Sequence, residues 1–93
     1  MAPPTHDEIR LALHDELAVD EYPPTIDIKQ HGTDMAIVSL SHPSLRQIPI
    51  WLINKWAVEV NRFGTLSSHV TVSADGRPVV EVLLYCQPEP EEA

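Results

Sequence analysis

The sequence predicts an α+β fold of order αββαββ, a two-layer sandwich in which two helices cover one face of a four-stranded antiparallel sheet. Two segments carry apolar residues at helical spacing, four short segments alternate with period two, and a helix followed by a hairpin occurs twice. Sliding the chain by 44 positions superimposes the halves without a gap, placing Ile9 on Ile53, Ile26 on Val70, Ile28 on Val72, Gly32 on Gly76, Val38 on Val82 and Leu40 on Leu84. This suggests an internal duplication of an αββ unit, with the two hairpins meeting near the centre of the sheet. A single domain is expected over residues 6–86, built of units 6–41 and 49–86.

Residues 1–5 read as an extended leader because of Pro3 and Pro4. Thr5 and Glu8 have the spacing of a capping box, in which the threonine caps the helix start and the glutamate three residues on reaches back to it, so the first helix should begin at His6. Ile9, Ala12, Leu13 and Leu17 form its inward stripe, and the helix should end near Val19. Beyond that, Pro23 and Pro24 remove donors and force extended backbone.

From Thr25 the period becomes two. Ile26 and Ile28 alternate with Asp27 and Lys29, the run breaks at His31-Gly32-Thr33, and Ala36, Val38 and Leu40 alternate with Ile37 and Ser39. Residues 45–48 read as a loop or a lead-in turn. The second helix is the most apolar stretch of the chain. Leu52, Trp56, Val60 and Phe63, widened by Ile53 and Ala57, face the core, and Trp51, Lys55, Val58 and Arg62 form a mixed second stripe. Proline suits a helix start and glycine a helix stop, so this helix should run from Pro49 or Ile50 to the residue before Gly64. Thr65 to Ser68 reads as a polar connector. Val70 and Val72, then Val80, Val82 and Leu84, form the second hairpin. Preserving the alternation pairs Val72 with Val80 and closes the hairpin on Asp75-Gly76-Arg77. The tail, residues 87–93, is rich in proline and glutamate and is expected to be disordered.

Composition narrows the function. Fourteen acidic residues against six basic ones give a formal net charge of −8, and the basic residues are scattered. A protein that binds nucleic acid directly, or an anionic membrane, needs a basic patch, so neither is expected. A single cysteine, Cys86, forms no internal disulfide, and neither a signal peptide nor a membrane-spanning run is present, which together point to the cytoplasm.

No metal, phosphate-binding or nucleophile motif of known spacing occurs, so no cofactor, metal or catalytic residue is assigned. His31 and Asp34 flank the first turn and His69 opens the third strand, but exposed turn histidines account for them more simply than a metal site does. Cys86 lies at a strand end with no group to activate it. Trp56 is assigned to the core.

The sheet leaves apolar residues over. If Val80, Val82 and Leu84 face the helices, then Val79, Glu81, Leu83 and Tyr85 face away, as do Met35 and Ile37. An uncovered face carrying Met35, Ile37, Val79, Leu83 and Tyr85 marks an interface. Trp51 and Val58 on the second helix add to it. The leading expectation is a non-enzymatic interaction module, a homodimer or the binder of a protein partner, acting through that sheet face and the Trp51 side of the helix. Two rival expectations stand beside it. One is a small acidic inhibitor, cellular or viral, whose Asp7, Glu8, Asp15 and Glu16 imitate phosphates and block the basic site of a nucleic-acid-handling protein. The other is a small ligand- or metal-binding domain with His31, Asp34 or His69 at its rim.

Overall fold

The computed structural model describes residues 3–18, 22–44 and 47–88. The element order is α1 (His6–Leu17), β1 (Thr25–His31), β2 (Met35–Ser41), α2 (Ile50–Asn61), β3 (Thr65–Val72) and β4 (Pro78–Tyr85). The expected αββαββ fold is therefore present, with the four strands in the antiparallel order β1-β2-β4-β3. The second strand of each hairpin lies at the centre of the sheet.

Each helix starts where its sequence sets the cap. Thr5 is the N-cap of α1, and its hydroxyl accepts a hydrogen bond from the Glu8 N–H at 3.1 Å. Glu8 does not complete a capping box through the Thr5 backbone. Its carboxylate instead accepts from the same hydroxyl at 3.3 Å. Regular helix stops at Leu17 with Ala18 as C-cap, and the expected limit at Val19 lies outside the described residues. Pro49 is the N-cap of α2, with φ −61° and ψ 150°, so the helix proper begins at Ile50. At its other end Gly64 takes φ +81° and donates its N–H to the Asn61 carbonyl, a conformation that side chains other than glycine rarely adopt.

The two inward stripes and one face of the sheet make the core. Ile9, Leu13 and Leu17 of α1 and Leu52, Trp56 and Val60 of α2 meet Ile28, Ala36, Val38, Leu40, Val80, Val82 and Leu84, all buried. Ile53 and Phe63 pack against this cluster from its margin, as the stripe pattern requires. Trp56 is fully buried, and its indole N–H finds no hydrogen-bond partner among the described residues. Cys86 is likewise buried, with its thiol 3.4 Å from the Gln87 carbonyl oxygen.

Around the sheet centre the 44-residue repeat becomes geometry. Val38 pairs directly with Val82, while Ala36 pairs with Leu84 and Leu40 with Val80. Adding 44 to one member of each pair generates the member of another, so a pseudo-twofold axis passes between Val38 and Val82. The helices obey the same shift, since His6–Leu17 moves onto Ile50–Asn61.

The outer strands do not. Ile28 pairs with Val38, and the position that pairs with Val82 on the other side is Ser68 rather than Val72. Ile26 is matched by Thr65, through a bulge between Thr65 and Ser67, and Gln30 by Val70. Connection length explains the slip. Residues 18–24 join α1 to β1, whereas residues 62–64 suffice between α2 and β3, so β3 enters the sheet four residues early by the repeat's numbering.

Two expectations are corrected here. Thr65 to Ser68 is strand and not a connector, because backbone pairing with β4 satisfies its amides and carbonyls whatever its side chains. Val72 pairs with Pro78, and Val80 with Val70. The loop over 73–77 is longer than the expected Asp75-Gly76-Arg77 because Ser73 organises it. The Ser73 carbonyl accepts from Gly76 at 3.0 Å, its N–H donates to the Arg77 carbonyl at 2.9 Å, and its hydroxyl accepts from the Arg77 N–H at 3.1 Å. The alternation used to choose an odd-length loop holds, and the register moves by two.

The leader and the end of β4 are joined. The Gln87 N–H donates to the Pro4 carbonyl at 2.8 Å and its side-chain amide to the Pro3 carbonyl at 2.6 Å. The rest of the tail expected to be disordered, from 89 onward, lies outside the described residues.

Candidate functional site

One face of the sheet carries both helices, and the other face is open. Direct antiparallel partners point the same way, so the open face can be read row by row from the pairing. His31, Met35 and Tyr85 form the first row, and Lys29, Ile37, Leu83 and Ser67 the second. Asp27, Ser39, Glu81 and His69 form the third, and Val79 with Thr71 lies beyond it.

Of the residues expected at an interface, Met35, Ile37, Leu83 and Tyr85 are brought into one patch, as two adjacent cross-strand pairs. Val79 shares the face but stands apart from them, across the Ser39–Glu81 row. Tyr85 is 50% exposed, and Met35, Ile37 and Leu83 are half-buried by their neighbours in the sheet.

Trp51 and Val58 are not part of this surface. They lie on α2, in the layer on the other side of the sheet, and are 58% and 67% exposed. One flat partner cannot cover both regions, so the Trp51 side of α2 is a separate surface.

A shallow depression of about 140 Å³ sinks into the open face, with Ile37 and Leu83 in its lining and His31, Ser67, His69 and Glu81 around it. His69 does not open its strand. It sits within β3, where its Nε2 lies 3.0 Å from the Glu81 carboxylate. Asp34 belongs to the exposed β1–β2 turn and accepts the Cys86 N–H at its backbone carbonyl. Among the described residues no three His, Cys, Asp or Glu side chains come together as metal ligands.

The acidic set lies elsewhere. Asp7, Glu8, Asp15 and Glu16 are all exposed along α1. Asp7 is 3.5 Å from Arg10, and Glu16 is 3.9 Å from Arg62 of the neighbouring helix end, so part of this charge is balanced within the chain. A different carboxylate is tuned by its surroundings. A hydrogen bond from the Ser73 hydroxyl, helped by the Arg77 guanidinium at 3.0 Å, holds Asp75 below the usual carboxylate range.

Sequence reasoning missed the helix side of β3. Val70 and Val72 point toward the helices' side of the sheet, since their partners Val80 and Pro78 do, yet they remain 51% and 66% exposed. Beside them a groove of about 230 Å³ runs between α2 and β3, lined by Asn54, Ala57, Val58, Asn61, Thr65 and Ser68. The signal available in the sequence was that residues 63–74 contain no Asp, Glu, Lys or Arg.

No described helix is long and apolar enough to cross a membrane. Comparison with protein-family models, with curated proteins and with solved structures gives no match to this chain.

Proposed function

We propose that this chain is a non-enzymatic interaction module that takes a protein partner on the apolar half of its open sheet face, at Met35, Ile37, Leu83 and Tyr85. The observation that carries this reading is where the pseudo-symmetry fails. On the helix side every central position is apolar and maps onto an apolar one: Ala36 onto Val80, Val38 onto Val82, Leu40 onto Leu84. On the open face the same shift maps Ile37 onto Glu81, Ser39 onto Leu83 and Ser41 onto Tyr85, while Met35 maps onto the apolar Val79. Folding alone asks nothing of an open face, where polar residues are the ordinary choice. Four apolar residues gathered on one half of it, with Val79 the one apolar residue among the equivalents Ser39, Ser41, Val79 and Glu81, fit a surface used for contact.

Charge specifies the partner's chemistry. Lys29 stands beside Ile37 at one edge of the patch, Asp27 and Glu81 border it in the next row, and the whole chain carries −8. A complementary surface is an apolar ridge flanked by lysine or arginine. The ion pairing of Asp7 and Glu16 weakens the rival reading, in which α1 alone serves as a phosphate mimic.

Affinity capture with matched variants tests the proposal. A partner retained by the wild-type chain and by Trp51→Ala, but lost with Ile37→Asp and with Leu83→Asp, supports it. Retention unchanged by both open-face substitutions contradicts it.

A further inference from the structure

We infer that the exposed edge of β3 is a self-association surface, at which a second copy of this chain pairs antiparallel with the first and extends the sheet across a twofold axis. This surface is separate from the open-face patch and does not depend on the function proposed for it.

The backbone shows which groups the edge offers. Ser73 N–H donates to the Arg77 carbonyl, and Cys86 N–H donates to the Asp34 carbonyl. Antiparallel bonding alternates along a strand, so continuing the two patterns makes the odd positions of β4 bond β3 and its even positions bond β2. In β3 the odd residues Ser67, His69 and Thr71 are therefore occupied with β4. The amides and carbonyls of Ser68, Val70 and Val72 point outward from the sheet.

Natural edge strands are commonly shielded by charge or proline. The other edge follows that rule, for β1 carries Asp27 and Lys29 and its Ile28 is buried beneath the helix layer. β3 runs over Thr65–Val72 with no proline and no acidic or basic residue except His69, and its only irregularity is the bulge at its start. The four-residue slip moves Val70 and Val72 beyond the cover of α2 and leaves Thr65 and Ser68 lining the groove beneath it.

Three features select a second copy as the occupant. First, a chain of net charge −8 repels its like, and β3 is the one edge strand free of carboxylates. Second, antiparallel pairing of β3 with itself sets the Val70 and Val72 side chains of the two copies next to one another, on the helix side of the joined sheet. Third, the helix layer then continues. α1 lies over β1, and α2 over β4 and β3. Strands are ~4.8 Å apart, so across a β3–β3 seam the two α2 helices stand roughly 10–14 Å apart, and the lower end of that range, with α2 midway between β4 and β3, meets the ~8–10 Å at which helices pack. Val58, which lines the groove, and Ile50 are the exposed apolar residues that α2 offers to such a contact. Such an interface is isologous, the usual form of a homodimer.

The test is solution mass by light scattering, combined with amide exchange of the full chain by NMR. The wild type is expected to be a dimer that tightens as salt rises, because salt screens the repulsion between like-charged chains. Its Ser68, Val70 and Val72 amides exchange slowly, in step with those of Thr71. In the Val70→Lys, Val72→Lys double variant the mass halves and those three amides become fast, while Thr71, bonded to β4, stays protected. Leu83→Asp leaves the dimer intact. A wild-type monomer at NMR concentration overturns the inference, as does fast exchange of the three amides in the wild type. A dimer that survives the double lysine variant, or dissolves with Leu83→Asp, overturns it also. Exchange in the wild type decides the matter even where the double variant fails to fold.

Discussion

Val38 and Val82 stand 44 positions apart in the chain and face each other as direct antiparallel partners at the centre of the sheet. Both are buried, and the pseudo-twofold axis that relates the two αββ units passes between them. The pair joins the halves through a strand pairing that the repeat maps onto itself. The helix layer over the two valines is built from equivalent elements, while the outer neighbour differs, Ile28 beside Val38 and Ser68 beside Val82.

That equivalence sets an expected outcome. Val38→Ala and Val82→Ala should each cost about 2 kcal/mol of stability, from the lost transfer of two methyl groups and the void left behind. Because the two are direct cross-strand partners, the double variant should depart from the sum of the singles. Urea unfolding of the three variants measures both quantities. A large loss at one valine and almost none at the other would place the sheet centre elsewhere.

Facing alternates between Leu83 and Leu84, and the alternation can be read one residue at a time. Leu84 is fully buried under the helices, while Leu83 is half-buried on the open face. Leu84→Asp buries a carboxylate without a partner and should unfold the chain. Leu83→Asp should leave it folded, with a loss of about 1 kcal/mol, the span of strand propensities. Circular dichroism melts distinguish the two. A folded Leu84→Asp protein, or an unfolded Leu83→Asp protein, contradicts the register of β4.

The β3–β4 loop should respond to acid. Asp75 is held below its ordinary value of 3.8, first by the Ser73 hydroxyl and then by Arg77. A carboxylate whose pKa is lower when folded stabilises the fold at pH values above its unfolded pKa. That contribution disappears as pH falls through the folded value. Relative to wild type, Asp75→Asn should therefore melt earlier at neutral pH, and the gap should close as pH drops below 3.8. The group is exposed, so the gap will be small. A gap that widens in acid would give Asp75 the opposite role.

Much of the architecture was legible because it rests on period and punctuation. The Leu52-Trp56-Val60 spacing and Gly64 define α2 to within a residue or two, and the alternation through β2 and β4 assigns every central residue to its observed face. The third strand was harder. Thr65, Ser67 and Ser68 carry no apolar alternation, and their strand character comes from β4 lying beside them, a contact remote in sequence. The repeat itself misled at this point. It equates Ile28 with Val72, whereas the short connection over 62–64 puts Ser68 in that place. At the open face, the orientation of Met35, Ile37, Leu83 and Tyr85 followed from alternation, but their union into one patch needed the β2–β4 pairing. The separation of Trp51 from that patch follows from the layer in which α2 lies.

The claim with most resting on it is that the apolar half of the open face takes a protein partner, and methyl NMR tests it most directly. The captured partner would be titrated into the chain labelled at methionine, isoleucine and leucine methyls. The account predicts that signals of Met35, Ile37 and Leu83 shift or broaden in proportion to binding, while those of Leu13 and Leu52 in the core hold still. Binding that leaves Ile37 and Leu83 unmoved, and perturbs instead Ile50 on α2, would contradict it.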